Sequence, residues 1–137
     1  DGKVEDVLSR ARDAGAVTVA CHPNEQSDWF ANTFYLWNRK DEVKGLVHLW
    51  ELACRWDLFP EVGKAGFAFL GNSDFHRAPH LWAWKSLLDC EKTPAAILGA
   101  LRKGRGLGLT RLFAPSPAPA LEPEPCETYP AFARASA

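Results

Sequence analysis

Phe67-Ala68-Phe69-Leu70-Gly71-Asn72-Ser73-Asp74-Phe75-His76 is the stretch on which the reading of this chain turns. Its first half is a short apolar run of the length of a buried strand. Its second half is a turn-prone polar segment that carries a carboxylate and an imidazole. On an extended backbone alternate side chains share a face, so Asp74 and His76 are expected to point together, roughly 6.6 Å apart along the strand, while Phe75 packs the other way. A strand that ends directly in such a pair resembles the ligand-bearing edge of an α/β fold, where the C-terminal ends of parallel strands hold the chemistry.

Outward from that stretch the chain repeats the same rhythm. Val4, Val7, Leu8 and Ala11 share one helical face, and Gly15 suits the end of that helix. Val17 to Ala20 is then β-prone and breaks at Cys21-His22-Pro23-Asn24. Phe30, Thr33, Phe34 and Trp37 give a second helix, with Ser27 or Asp28 as its cap, and Lys40 to Lys44 reads as a charged linker. Leu46 to Trp50 predicts a strand with His48 as a core histidine inside it, and Asp57 is placed to cap a short helix through Val62. Residues 77 to 92 fit either helix or strand. Thr93-Pro94 opens a helix whose buried stripe is expected to be Ile97, Leu98 and Leu101 and whose end is Gly104, followed by a strand from Leu107 to Leu112. The resulting expectation is an α/β fold in a domain over residues 1–113, with about four strands in a parallel layer. Residues 114–137 are rich in Pro and Ala and are expected to form a disordered tail.

Composition excludes several classes of function. A net charge of -1 offers no electrostatic case for a stable nucleic-acid partner or an anionic membrane, and no apolar run reaches the roughly 20 residues of a membrane span. The four cysteines form no CxxC pair, so neither a zinc ribbon nor a dithiol redox site is expected. A soluble, cytoplasmic protein is the expectation. The absence of Met and the start inside an amphipathic pattern predict a fragment of a longer product.

Two places can carry chemistry. Asp74 and His76 offer a carboxylate oxygen and an imidazole nitrogen, donors suited to Zn, Mn or Fe. His22 stands after the first strand. A Cys21–His22 nucleophile pair is set aside, because neighbours on an extended segment face opposite sides. His80 is expected to face solvent. Arg77 and Arg55 stand near the site and could reach a phosphate through their forked donors, or serve as surface ion pairs. Trp29 and Trp37 are candidates to cover a flat substrate.

Cys21-His22-Pro23-Asn24 after an apolar strand resembles the AHP motif of the PHP (polymerase and histidinol phosphatase) family, and Gly71-Asn72-Ser73-Asp74-Phe75-His76 resembles that family's late GSDxH motif. Trp50-Glu51-Leu52-Ala53-Cys54 is similar to its intervening strand, with Cys54 where Asn is frequent, and Leu98 to Leu112 to its closing element. The resemblance implies the C-terminal portion of a distorted seven-stranded (β/α) TIM-like barrel with parallel strands. It further implies His22, Asp74 and His76 as metal ligands, divalent Mn, Fe or Zn as cofactor, and hydrolysis of a small phosphate ester or an oligonucleotide. Glu51 occupies a position that is not usually a ligand. The family's opening HxH motif and middle ligands have no counterpart here, so the isolated chain is expected to be inactive. An amidohydrolase-like metal enzyme and a non-catalytic interaction module are the alternatives.

Overall fold

The computed structural model describes residues 3–24 and 31–112. The expected Pro-rich tail, the caps Ser27 and Asp28, and Trp29 lie outside them. Helix α1 (Val4–Asp13) carries Glu5 and Asp6 in its first turn and Arg10 and Arg12 in its last, matching the helix dipole at both ends. Gly15 takes φ +80° just beyond it and turns the chain into β1 (Val19–Ala20). Helix α2 (Ala31–Asn38) follows and is tied back to α1 by Tyr35 Oη donating to Glu5 (2.8 Å) and by the Arg39–Glu5 ion pair (2.7 Å). The expected charged linker is instead a one-turn helix, α3 (Lys40–Val43), because Val43 is apolar enough to bury and anchor it.

Strand β2 (Leu49–Cys54) is the centre of the molecule, buried along nearly its whole length. It begins later than its apolar run suggests, since the N–H groups of Leu46 and Val47 are taken by the Val43 carbonyl as the chain leaves α3. On one side β2 pairs in parallel with β1, and on the other in parallel with β4 (Phe69–Asn72). The two-residue strand β3 (Asp57–Leu58) turns back antiparallel to β2, so Asp57 serves a hairpin and not a cap. Helix α4 (Pro60–Lys64) then returns the chain to β4, with Pro60 in its first turn. Trp50 is the packing centre of this layer, stacked on Phe67 at 5.4 Å and edge-on to Trp37 at 5.5 Å. Trp37 is therefore a core residue and not a substrate cover.

The expected barrel is not found. After β4 the chain makes a single 3-10 turn (Ala78–Trp82) and enters β5 (Trp84–Leu88), too short a path for the long crossover that a parallel neighbour needs. Strand β5 pairs antiparallel with β6 (Leu107–Arg111), the strand expected to extend the parallel layer. The described residues thus form a four-stranded mixed sheet and a separate two-stranded one, with no closure into a barrel among them. The second sheet is fastened to the first by a side chain: Ser86 Oγ donates to the Gly71 carbonyl (2.7 Å) and accepts from the Gly71 N–H (3.0 Å).

Helix α5 (Pro94–Lys103) joins β5 to β6, capped by Thr93 Oγ1 accepting from Ala96 N (3.2 Å) and closed by Gly104 at φ +59°. A side chain at Gly104 would also strike the Ala68 side chain, so this close approach needs glycine twice over. Ile97 and Leu98, expected inside, are exposed at 37% and 40%, because no layer among the described residues covers that face of α5. No described helix is long and apolar enough to cross a membrane.

His48 lies one residue before β2, half-buried, and locks β1 to β2 from the end remote from Asp74. Its Nδ1 accepts the Thr18 backbone N–H (3.1 Å) and its own N–H donates to Thr18 Oγ1 (3.2 Å). Burial first, then the positive charges of Arg12 and Arg102, hold its pKa below the ordinary 6.5. A depressed histidine folds as the neutral ring, so its contribution is complete above about pH 6.5 and is lost as pH falls through the lowered value. His48→Asn keeps an acceptor near the Nδ1 position without a titrating proton. Urea unfolding of the wild type should weaken between pH 7 and pH 5 by clearly more than that of H48N; equal losses in the two proteins would contradict this role.

Candidate metal centre

Three strands of the sheet run in the same direction, and just beyond the end of each stands a non-glycine residue in the left-handed region. These are His22 (φ +48°) after β1, Arg55 (φ +46°) after β2 and Asp74 (φ +42°) after β4. They are the only non-glycine residues at positive φ among the described residues. Each such conformation costs on the order of 1 kcal/mol or more for a residue with a Cβ. Their coincidence at one sheet edge means that surrounding structure imposes the turns. Asp74 is consequently not extended: its N–H is taken by Asn72 Oδ1 (2.7 Å), a local turn that aims the carboxylate back over the sheet.

A buried carboxylate sits underneath. Glu51, fully buried in β2, accepts the backbone N–H of His22 (2.8 Å) through Oε2 and the side-chain amide of Asn72 through Oε1. One side chain of the central strand thereby fixes the exits of both neighbours. Burial raises the Glu51 pKa, against the opposing pull of the His22 N–H and the His22 ring. The pairing of β2 with β4 skips a residue between Glu51 and Ala53. In a regular strand residues three apart face opposite sides; the bulge removes one step, so Glu51 and Cys54 both reach the His22 ring. Glu51 Oε2 lies 3.9 Å from His22 Nδ1, and Cys54 Sγ lies 4.0 Å from His22 Nε2.

Around His22 Nε2 the donors converge. Asp74 Oδ2 is 4.0 Å away, and one donor atom each of His22, Cys54 and Asp74 lies within 4.8 Å of the others. A tetrahedral zinc with ordinary bond lengths holds such donors about 3.4–3.6 Å apart, so the two pairs with His22 Nε2 need a contraction of about half an ångström and the third a closure of up to about 1.3 Å. The donor set fits a metal ion in kind as well as in spacing: imidazole nitrogen, thiol sulfur and carboxylate oxygen, one from each strand end.

The predicted residues divide accordingly. The structure brings His22 and Asp74 together and adds Cys54 to them. His76 stands beside Asp74, Nδ1 to Oδ1 3.6 Å, but its Nδ1 also lies 2.6 Å from the Asp74 carbonyl, and it is outside the convergent trio. Arg55, expected to meet substrate, ion-pairs with Asp74 Oδ2 at 2.9 Å and lies 3.4 Å from His76 Nδ1. Arg77 is exposed just before the 3-10 turn. His80, expected in solvent, is buried (1% exposed) because the 3-10 turn folds it under the loop, where Nδ1 accepts the His76 N–H (3.0 Å) and shapes the Asp74–His76 segment. Cys21 is exposed as a residue, but the partial enclosure of its thiol and the charges of Glu51 and Asp74 push it up to about 11, which leaves it a poor nucleophile.

Glu51, Asn72 and Cys54 are the site residues that sequence reasoning passed over. The signal was there for Glu51, an acid in the middle of the apolar run Leu49-Trp50-Glu51-Leu52-Ala53-Cys54, which a strand buried on both faces tolerates only for a reason. No family model matches the chain, and no curated protein is significantly similar to it.

Removing the buried acceptor should expose its importance. Glu51→Ala leaves the His22 N–H and the Asn72 amide without their partner and opens a cavity, at a cost of about 2–4 kcal/mol in chemical denaturation at pH 7. A change within about 0.5 kcal/mol, the scale of an ordinary surface substitution, would show that Glu51 does not tie the strands together.

Proposed function

We propose that His22, Cys54 and Asp74 form a divalent-metal centre of a phosphoester hydrolase, the activity implied by the chain's resemblance to the PHP family. The observation that carries the reading is the meeting of three chemically distinct ligand groups at one edge, each delivered from the end of a different parallel strand. Structural ion-pair clusters also form at protein surfaces, but they seldom bring a buried thiol to an imidazole and a carboxylate on three strained or buried strand ends.

Cys54 refines the choice of metal. A thiolate donor favours Zn over Mn, and Fe stands between them in this mixed N/S/O set. Burial, followed by the charges of Glu51 and Asp74, holds the Cys54 thiol protonated well above its ordinary range, so ion binding at neutral pH must release its proton. His22 has to be neutral and Asp74 ionised to serve as donors, and affinity therefore falls in acid. When bound, such an ion supplies Lewis acidity and lowers the pKa of coordinated water. The chain's own residues do the rest. Glu51 holds the His22 backbone, Asn72 turns Asp74 inward, and Arg55 and Arg77 are the cations placed near the edge to meet phosphate oxygens. The substrate is a small phosphate ester or an oligonucleotide.

Cobalt titration tests the centre, because thiolate coordination gives a near-ultraviolet charge-transfer band. One equivalent of Co²⁺ should produce that band, and Zn²⁺ should abolish it by displacement. The band should vanish in Cys54→Ser, with affinity reduced by at least about tenfold in His22→Ala and Asp74→Ala. Absence of stoichiometric binding, or affinity indifferent to all three substitutions, would remove the proposal's basis.

A further inference from the structure

The oxygen that Asp74 turns towards His22 is already engaged. Asp74 Oδ2, 4.0 Å from His22 Nε2, is the same atom that Arg55 NH2 contacts at 2.9 Å. A divalent ion shared by the three ligands and the Arg55 guanidinium therefore draw on one carboxylate oxygen. Arg55 does not hold it in the bidentate fork that makes arginine–carboxylate pairs strong. A single NH2 makes the ion pair, and Arg55 Nε is buried without a hydrogen-bond partner among the described residues. A buried donor left without an acceptor is unfavourable. The contact is thus closely placed but incompletely satisfied. Its backbone is not free to wander, since Arg55 sits at φ +46° with its N–H donated to the Asn72 carbonyl (3.2 Å) and its own carbonyl accepting Trp84 N (3.3 Å).

We infer that Arg55 is the resident counter-cation of Asp74, displaced when a divalent ion binds and thereby released, with donors lacking partners, to bind an anionic phosphoryl oxygen. The inference rests on the metal-centre reading and deepens it by giving the site an order: ion first, phosphate second. Before the ion binds, Arg55 neutralises Asp74 and keeps the edge from carrying a bare carboxylate. Afterwards Asp74 is satisfied by the ion, and the guanidinium, tethered one residue beyond β2, stays within reach of the same edge. The exchange makes no covalent bond; one ion pair is traded for a metal–carboxylate contact and one for an arginine–phosphate contact.

Calorimetric titration of Zn²⁺ and then inorganic phosphate into the wild type, Arg55→Gln and Arg55→Lys tests this directly. R55Q should bind Zn²⁺ about two- to fivefold tighter than the wild type, the scale of one partly exposed ion pair, with R55K in between. Phosphate should bind the zinc-loaded wild type and neither the metal-free wild type nor zinc-loaded R55Q. An R55Q protein with unchanged or weaker zinc affinity, alongside a wild type that binds, overturns the exchange while leaving the metal centre standing. Zinc binding by R55Q alone supports the exchange in its strongest form; binding by none of the three overturns both readings. Should R55Q fail to fold, the ¹⁵N resonance of Arg55 Nε in the wild type decides instead: it must shift on adding one equivalent of Zn²⁺, and an unmoved signal with zinc bound overturns the exchange.

Discussion

Glu51 is a carboxylate with almost no access to water, placed where the central strand meets both of its parallel neighbours. Burying that group is costly unless donors surround it, and here one comes from the backbone beyond β1 and another from the last residue of β4. The dependence runs both ways. Without the two donors the acid would be costly to bury, and without the acid the His22 turn and the Asn72 side chain would lose the group that joins them. The bulge in β2 belongs to this arrangement, because it lets Glu51 and Cys54 face the same imidazole. The rest of the described fold serves this edge: Trp50 and its aromatic partners anchor β2 from below, and Ser86 pins the second sheet to β4.

The site built on that support stores unfavourable terms in a small volume. Three side-chain-bearing residues occupy the left-handed region, a thiol is held protonated by burial and nearby negative charge, and a guanidinium nitrogen is buried without an acceptor among the described residues. Any one of these is tolerable in an ordinary protein. Together, at the edge where parallel strands end, they describe a place organised for something other than stability. A divalent cation offsets the Asp74 carboxylate and the thiolate left when Cys54 gives up its proton, and a phosphate oxygen offers an acceptor to Arg55.

Much of the local structure was legible in the sequence. The first helix, the Thr93-Pro94 start and the Gly104 end each rest on short-range chemistry, and each stands in the structure, although of the expected apolar face Val4 and Leu8 pack on the core while Val7 is exposed. His22 and Asp74 were legible for a similar reason, since a polar residue straight after an apolar strand has few places to go. The partnering of distant segments was not. Nothing in Leu107 to Leu112 distinguishes a strand that joins a parallel layer from one that pairs antiparallel with Trp84 to Leu88; the brevity of the connection through the 3-10 turn decides it. The barrel expectation failed there. Cys54 was passed over as a ligand and His80 was misplaced because a bulge and a 3-10 turn each re-aim side chains by one step, below the resolution of periodicity.

Anomalous diffraction from a crystal of this chain equilibrated with Zn²⁺ is the most direct measurement of whether three strand ends share one ion. The account predicts a single strong zinc peak about 2.0–2.3 Å from His22 Nε2, Cys54 Sγ and a carboxylate oxygen of Asp74. Zinc absent from that edge, or held there by His76 without His22 and Cys54, would contradict it.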